Sequence, residues 1–339
     1  MSKYWELKHK QGNGYWYEDE NGNKSKLFQF AYPYSGGFGM VKLNNGKYAY
    51  VDMDGNLSDE YEWANSYRGG FGIVELDNLN WAYRDTKGNL SEEYKYRMLP
   101  YYEGFGVVEL ENGKYAYRNV NGNLSDEYKF ADSYSGGFGV VELDDGSYVY
   151  RDINGNLSDK YKFADLYSDG FGMVELDNGK CAYRDINGRL SEEYKQAEIY
   201  LEGFGIVQLD DGLWAFRDAK GNLSEKYKNK MSVYSYGFSV VQLDNGMWGY
   251  RDTNGNLSET YKYKIEPYFF GFGVVRLEDG KYAYRDVNGN LSEEYTRAID
   301  YNEGFGEVLL DNGERAYRDE TGNIFCGIEY ENIRKRLKG

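Results

Sequence analysis

Glycine followed by Phe-Gly or Phe-Ser returns along this chain at Gly37, Gly70, Gly104, Gly137, Gly170, Gly203, Gly237, Gly271 and Gly304, in steps of 33 or 34 residues. A unit of that size cannot bury a core by itself, so the period demands an architecture in which neighbouring copies cover one another. A tenth, degenerate copy precedes these nine. Its Tyr15-Trp16-Tyr17 and Asn21-Gly22-Asn23 match the later copies, but its first strand has decayed to Tyr4-Trp5-Glu6-Leu7. The 339 residues would otherwise suggest two or three globular domains, and the repeat overrides that expectation. The chain divides into a degenerate first repeat (1–36), a tandem array (37–322) and a C-terminal cap (323–339), in which Tyr330 to Lys338 reads as a short basic helix.

One copy shows what is repeated. Gly137 to Leu143 is a β-rich run, Asp144-Asp145-Gly146 a turn, Ser147 to Asp152 a second run, Ile153-Asn154-Gly155-Asn156 another turn, and Leu157 to Ala164 a weaker third run. Asn-Gly and Asp-Gly between such runs are strong hairpin signals, and no segment carries an apolar stripe of helical period. The expected fold is therefore all-β: ten three-stranded antiparallel meanders stacked as an open, superhelical, solenoid-like array. A closed β-propeller is the alternative, although its blades commonly have four strands and about 40 residues. A two-residue loop at Asp145-Gly146 would set Leu143 across from Tyr148 and Val141 from Tyr150. Gly139, Val141, Leu143, Tyr148 and Tyr150 would then form the core face, with Phe138, Val140, Glu142, Val149 and Arg151 on the presented face.

Charge narrows the partners. The net charge of −16 disfavours nucleic acid and anionic membrane surfaces and suits basic partners. Two cysteines, Cys181 and Cys326, form neither a disulfide framework nor a metal motif. No signal-like apolar region opens the chain and no run approaches a membrane-spanning length, which points to a cytoplasmic protein, with unconventional export left open.

The stretch from Tyr134 to Asn156 (Tyr-Ser-Gly-Gly-Phe-Gly-Val-Val-Glu-Leu-Asp-Asp-Gly-Ser-Tyr-Val-Tyr-Arg-Asp-Ile-Asn-Gly-Asn) resembles the WG-repeat proteins of bacteria, and the likeness runs through every copy. The literal Trp-Gly stands at Trp248-Gly249; elsewhere the pair is Tyr-Ala, as at Tyr115-Ala116, or Trp-Ala, as at Trp214-Ala215. The resemblance implies a protein-interaction role and no catalytic residues. This chain departs from the family in placing arginine before the aspartate, at Arg84, Arg118, Arg151, Arg184, Arg217, Arg251, Arg285 and Arg318, with Asn119 in place of the aspartate in one copy.

That column supplies the candidate partner-binding surface: Arg118, Arg151, Arg184, Arg217, Arg251 and Arg285. In the expected register it shares a face with Glu75, Glu109, Glu142 and Glu175, replaced later by Gln208, Gln242 and Arg276, so that the face grows more positive along the array. Cross-strand ion pairing on a solvated face would explain the column without any partner. The 38 tyrosines permit a glycan-binding surface, but rings such as Tyr115 and Tyr117 read as core, and loop residues such as Tyr102, Tyr134, Tyr167 and Tyr268 as freer. Asp152 to Asp159 has alternate oxygens like a calcium loop, with glycine at the wrong position. A single histidine, His9, and the absence of any asymmetric acid–base set argue against an enzyme. The leading expectation is a non-enzymatic scaffold for a protein partner, without cofactor or metal. A carbohydrate-binding surface protein and a self-associating structural protein are the alternatives.

Overall fold

The computed structural model describes residues 5–10, 14–96, 98–330 and 333. Tyr4 of the decayed strand and most of the expected basic helix lie outside them. Helical structure occurs at residues 327–330 and at 333, so it begins before the expected start at Tyr330. The described residues otherwise form strands and turns, with ten antiparallel hairpins from Trp5–Lys10 with Gly14–Asp19 to Phe305–Leu309 with Arg315–Asp319. Five belong to each of two compact units, Met1–Leu166 and Tyr167–Gly339. Most hairpins gain a two-residue third strand ahead of them, as Phe130–Ala131 does beside Phe138–Glu142 and Tyr148–Asp152. The fold is thus a tandem all-β array of three-stranded antiparallel meanders.

The register differs from the expected one by a single residue. Val140 faces Tyr150, Val141 faces Val149 and Glu142 faces Tyr148. The cause is the turn. The Gly146 amide donates to the Leu143 carbonyl at 2.9 Å, the Leu143 amide donates to Ser147 at 2.8 Å, and Gly146 has φ 84°. These bonds make a three-residue loop with a glycine bulge in place of a two-residue turn. The extra residue transfers Arg151 to the face of Gly139, Val141 and Val149, and Glu142 to the other. A two-residue turn with both φ values positive does occur, at Gly136-Gly137 between Ser135 and Phe138.

Hairpins inside each unit are covered on both faces, which is why the central three residues of strands such as Phe105–Glu109 are all buried and no alternation is visible. Val107 and Tyr117 of one hairpin pack on Val141 and Val149 of the next, with Tyr128, Ala131 and Tyr134 of the connecting segment between them. The pattern recurs with Ile73 and Tyr83 on Val108 and Ala116, and with Tyr183 on Val207 and Ala215. Within each unit one face therefore meets the opposite face of its successor.

The connecting segment serves two sheets. Residues 123–128 lie along the outer strand of their own hairpin, with Leu124 bridged to Arg118 and Tyr128 to Tyr115. Phe130 and Ala131 then cross to pair with Glu142 and Val141 of the next hairpin. The weaker third run of each copy is therefore divided between two hairpins.

The tyrosine hydroxyl fixes the spacing. Tyr117 Oη donates to the Asp132 carbonyl at 2.7 Å and lies 3.2 Å from the Val140 carbonyl. A Cβ on Gly139 would sit 2.3 Å from that hydroxyl, so the second glycine of the motif exists for close approach. At the C-terminal hairpin, Tyr330 stacks on Tyr317 at 4.9 Å and donates to Glu307 at 2.9 Å, so residues after the array cover its last described hairpin.

Candidate interaction site

The arginine column lies between hairpins and not on a presented face. Arg118, Arg217, Arg251 and Arg285 are buried, and Arg151 and Arg184 are half-buried. Arg118 grips Glu92 through Nε at 3.0 Å and Nη2 at 3.2 Å, and donates from Nη1 to the Tyr101 hydroxyl at 2.8 Å. Arg251 and Arg285 pair in the same way with Glu225 and Glu259, at 3.1 and 2.8 Å. Arg217 donates to the hydroxyls of Tyr194 at 3.1 Å and Tyr200 at 2.5 Å. Arg151 reaches Tyr134, and Arg184 donates to Tyr167. Several guanidinium groups also cover rings of the preceding hairpin, as Arg151 does over Phe105 at 5.6 Å and Tyr117 at 5.5 Å. The expected groove is thereby corrected. The one-residue shift places Arg118 and Arg151 on the face turned to the preceding hairpin and leaves Glu109 and Glu142 across from Tyr115 and Tyr148 on the opposite face.

Electrostatics follow from that packing. Burial works to raise the Glu92 and Glu259 carboxyls, but hydrogen bonds from Arg118 and Tyr94, and from Arg285 and Tyr261, hold both down at about 2. Burial pushes the phenols up, with Tyr67 and Tyr200 at about 12 despite the opposing pull of Arg84 and Arg217. Tyr134, Tyr167 and Tyr268, expected to be freer, are buried, while Tyr102 is half-buried. Tyr115 and Tyr148 are half-exposed where a core was expected. In the loop that resembled a calcium site, Asp152 Oδ1 accepts the amides of Asn154 at 2.9 Å and Asn156 at 2.8 Å, and Oδ2 accepts Asn156 Nδ2 at 2.8 Å. The carboxylate is satisfied by N–H donors pointing at it, an arrangement that closes a turn and is wrong for a cation.

Features repeated in every copy thus have structural work to do, including the half-exposed leucines such as Leu124 and Leu157 that bridge to Arg118 and Arg151. Several departures from the repeat fall together in the eighth to tenth hairpins, although the step from Gly70 to Gly104 is also 34 residues. The steps from Gly203 to Gly237 and from Gly237 to Gly271 are 34 residues, and the sheets of Phe238–Gln242 with Trp248–Asp252 and Phe272–Arg276 with Tyr282–Asp286 have lost the short third strand. In the same two copies the turn position, glycine at Gly36, Gly69 and Gly136 and acidic at Glu103, Asp169, Glu202 and Glu303, carries the aromatics Tyr236 and Phe270, at φ 53° and 51°. Bulky side chains are disfavoured there. Tyr236 is 49% exposed, Phe269 44% and Phe270 42%. The two turns touch, since Ser235 Oγ donates to the Tyr268 carbonyl at 2.8 Å. Equivalent positions on either side are acidic: Glu202, whose carboxylate accepts the Gly237 amide at 2.7 Å, and Glu303.

The second departure is a cleft of about 460 Å³ beside the irregular segment Tyr263–Glu266, lined among others by Lys264, Glu266, Arg276, Arg297 and Asp300. The sequence reading singled out Arg276 as the end of a charge gradient but missed the cleft. Two 34-residue steps in succession, from Gly203 to Gly271, followed by Arg276 and Arg297, were the signal that could have located it.

No family model matches this chain, and no curated protein matches it. Among solved structures, the crystal structure of BamB from Moraxella catarrhalis is similar over 77% of this chain and 95% of that chain, at 11% identity and a TM-score of 0.38.

Proposed function

We propose that this chain is a non-enzymatic, WG-type repeat scaffold that docks a protein segment carrying apolar and basic residues on the turns of its eighth and ninth hairpins. The observation that carries this reading is the placement of Tyr236 and Phe270 in left-handed turn positions, exposed to solvent. Glycine would be more stable in both places; Glu103, Asp169 and Glu202 hold the same backbone at φ 50°, 51° and 52° while accepting an amide of the next turn, whereas an exposed aromatic ring does no such work and so marks a site kept for another purpose. Large exposed aromatics are also the residue types that anchor protein interfaces. The acidic neighbours Glu202 and Glu303, on a chain of net charge −16, favour a basic partner. The free cysteines Cys181 and Cys326 suit a reducing compartment such as the cytoplasm.

The test is a variant combining Tyr236→Gly, Phe269→Ser and Phe270→Gly. It is expected to melt no lower than the parent chain and to lose the protein that the parent retains from source-cell lysate at low salt. Equal retention by parent and variant would remove these turns from the interface.

A further inference from the structure

We propose that the cleft beside Tyr263–Glu266 binds a monoanionic, polyhydroxylated ligand, a uronate-bearing saccharide, with the sugar carboxylate on Arg276 and Arg297. The site arises where the repeat is broken. Around the fifth hairpin the position of Arg276 is held by Glu142, which accepts a hydrogen bond from Lys129 of the segment before it, and the position of Arg297 is held by Phe163 of the segment after it. In the cleft both positions are arginine, and Lys264 lies beside them. Among the described residues none of these three cations has a carboxylate within ion-pairing distance, although acidic residues outnumber basic ones by 56 to 40.

Arg276 is held ready. Its guanidinium lies over the Tyr263 ring at 4.3 Å and the Tyr282 ring at 5.7 Å, and its Nε donates to the Gly280 carbonyl at 3.2 Å. That leaves the two terminal nitrogens as a planar fork, the geometry that matches a carboxylate with two parallel hydrogen bonds.

Glu266 and Asp300 select among anions. Burial raises the Asp300 carboxyl and the charge of Glu266 raises it further. Two carboxyl groups in one cleft repel a dianion such as phosphate but accept hydrogen bonds from hydroxyls. A volume of about 460 Å³ falls in the range of small-molecule sites. Neutral sugars would leave the arginines without a counter-charge, and polyphosphates would meet the carboxylates.

Titration calorimetry of the full chain with glucuronate, glucose and inorganic phosphate tests this. Glucuronate, with its single carboxylate, is expected to bind at least about tenfold more tightly than either other probe. The variant Arg276→Gln plus Arg297→Gln should lose about tenfold while its melting temperature stays unchanged, and Arg276→Lys should be intermediate. No binding of glucuronate, equal binding of phosphate, or unchanged affinity in the double variant would each overturn the proposal. The inference is independent of protein docking on the turns, since the Tyr236, Phe269 and Phe270 variant should bind glucuronate as the parent does.

Discussion

Phe216 stands where the other copies carry the tyrosine that spaces two hairpins, and Ser239 stands where the following copies carry the glycine beneath it. The two changes compensate. Ser239 Oγ donates to the Ser232 carbonyl at 2.5 Å, the acceptor equivalent to the Asp132 carbonyl served by Tyr117 elsewhere. A hydroxyl lost from one hairpin is thus restored from its neighbour. Phe216→Tyr alone should crowd Ser239, and Ser239→Gly alone should leave a carbonyl short of a donor and a small void, each costing about 1–3 kcal/mol. The double variant should recover most of that loss, and a double-mutant cycle by urea denaturation reads the coupling directly. Leu79 is a second local anomaly, 67% exposed at φ 66° where other copies have glycine. Leu79→Gly should raise stability by about 1 kcal/mol, measured by the shift of the urea midpoint. Gly249, by contrast, has room: the nearest atoms to an added Cβ lie at 3.8 Å, so the glycine of Trp-Gly is not required by packing and Gly249→Ala should be tolerated.

At the level of the hairpin, the inter-repeat arginine decides how well successive elements lock. Arg118 joins Glu92, Tyr101 and the ring of Tyr83, which belong to the preceding hairpin and the connection after it. Arg118→Ala should destabilise the array by about 2 kcal/mol, because it strands partners at a mostly covered interface. The same substitution at Arg217 and Arg251 would lower stability, so lost binding in such variants would report unfolding and not a surface contact. Much of this element was legible in the sequence. The ten hairpins, both turns and the packing role of Tyr117 follow from the period, the Asp-Gly and Asn-Gly pairs and the aromatic positions. The register was not, because one residue decides between a two-residue loop and a bulged three-residue loop, and Asp145-Gly146 suits either. Burial on both faces then removed the alternation that would have exposed the error, with Val140 and Val141 both buried. The candidate sites were legible only as broken periodicity: the 34-residue steps and the arrival of Arg276 and Arg297.

Across the whole molecule, the buried phenols set the alkaline limit. Their folded pKa values lie above the ordinary value near 10, as at about 12 for Tyr67 and Tyr200. Their contribution to stability is therefore complete below about pH 10 and falls as pH rises through about 12, because the unfolded chain loses these protons first. Phenolate absorbance should rise late and steeply, together with loss of circular dichroism; a gradual rise centred at pH 10 with the fold intact would contradict the packing described. In acid the sign reverses. Glu92 and Glu259, held at about 2, support the fold above about pH 4.3 and lose that contribution as pH falls to 2. The effect should be shallow, since both side chains are about half exposed.

The meeting of one hairpin face with the opposite face of its successor also bears on inheritance. Excision of residues 105–137 would set Phe138 directly after Gly104 and bring Tyr83 over Gly139, Val141 and Val149, surfaces equivalent to those it already meets. Unequal recombination between copies would then give a chain of another length with every junction chemically familiar. Copy number in this lineage can drift by whole periods, while the non-repeated residues around Tyr236, Phe270 and Arg276 travel intact on the segment that bears them.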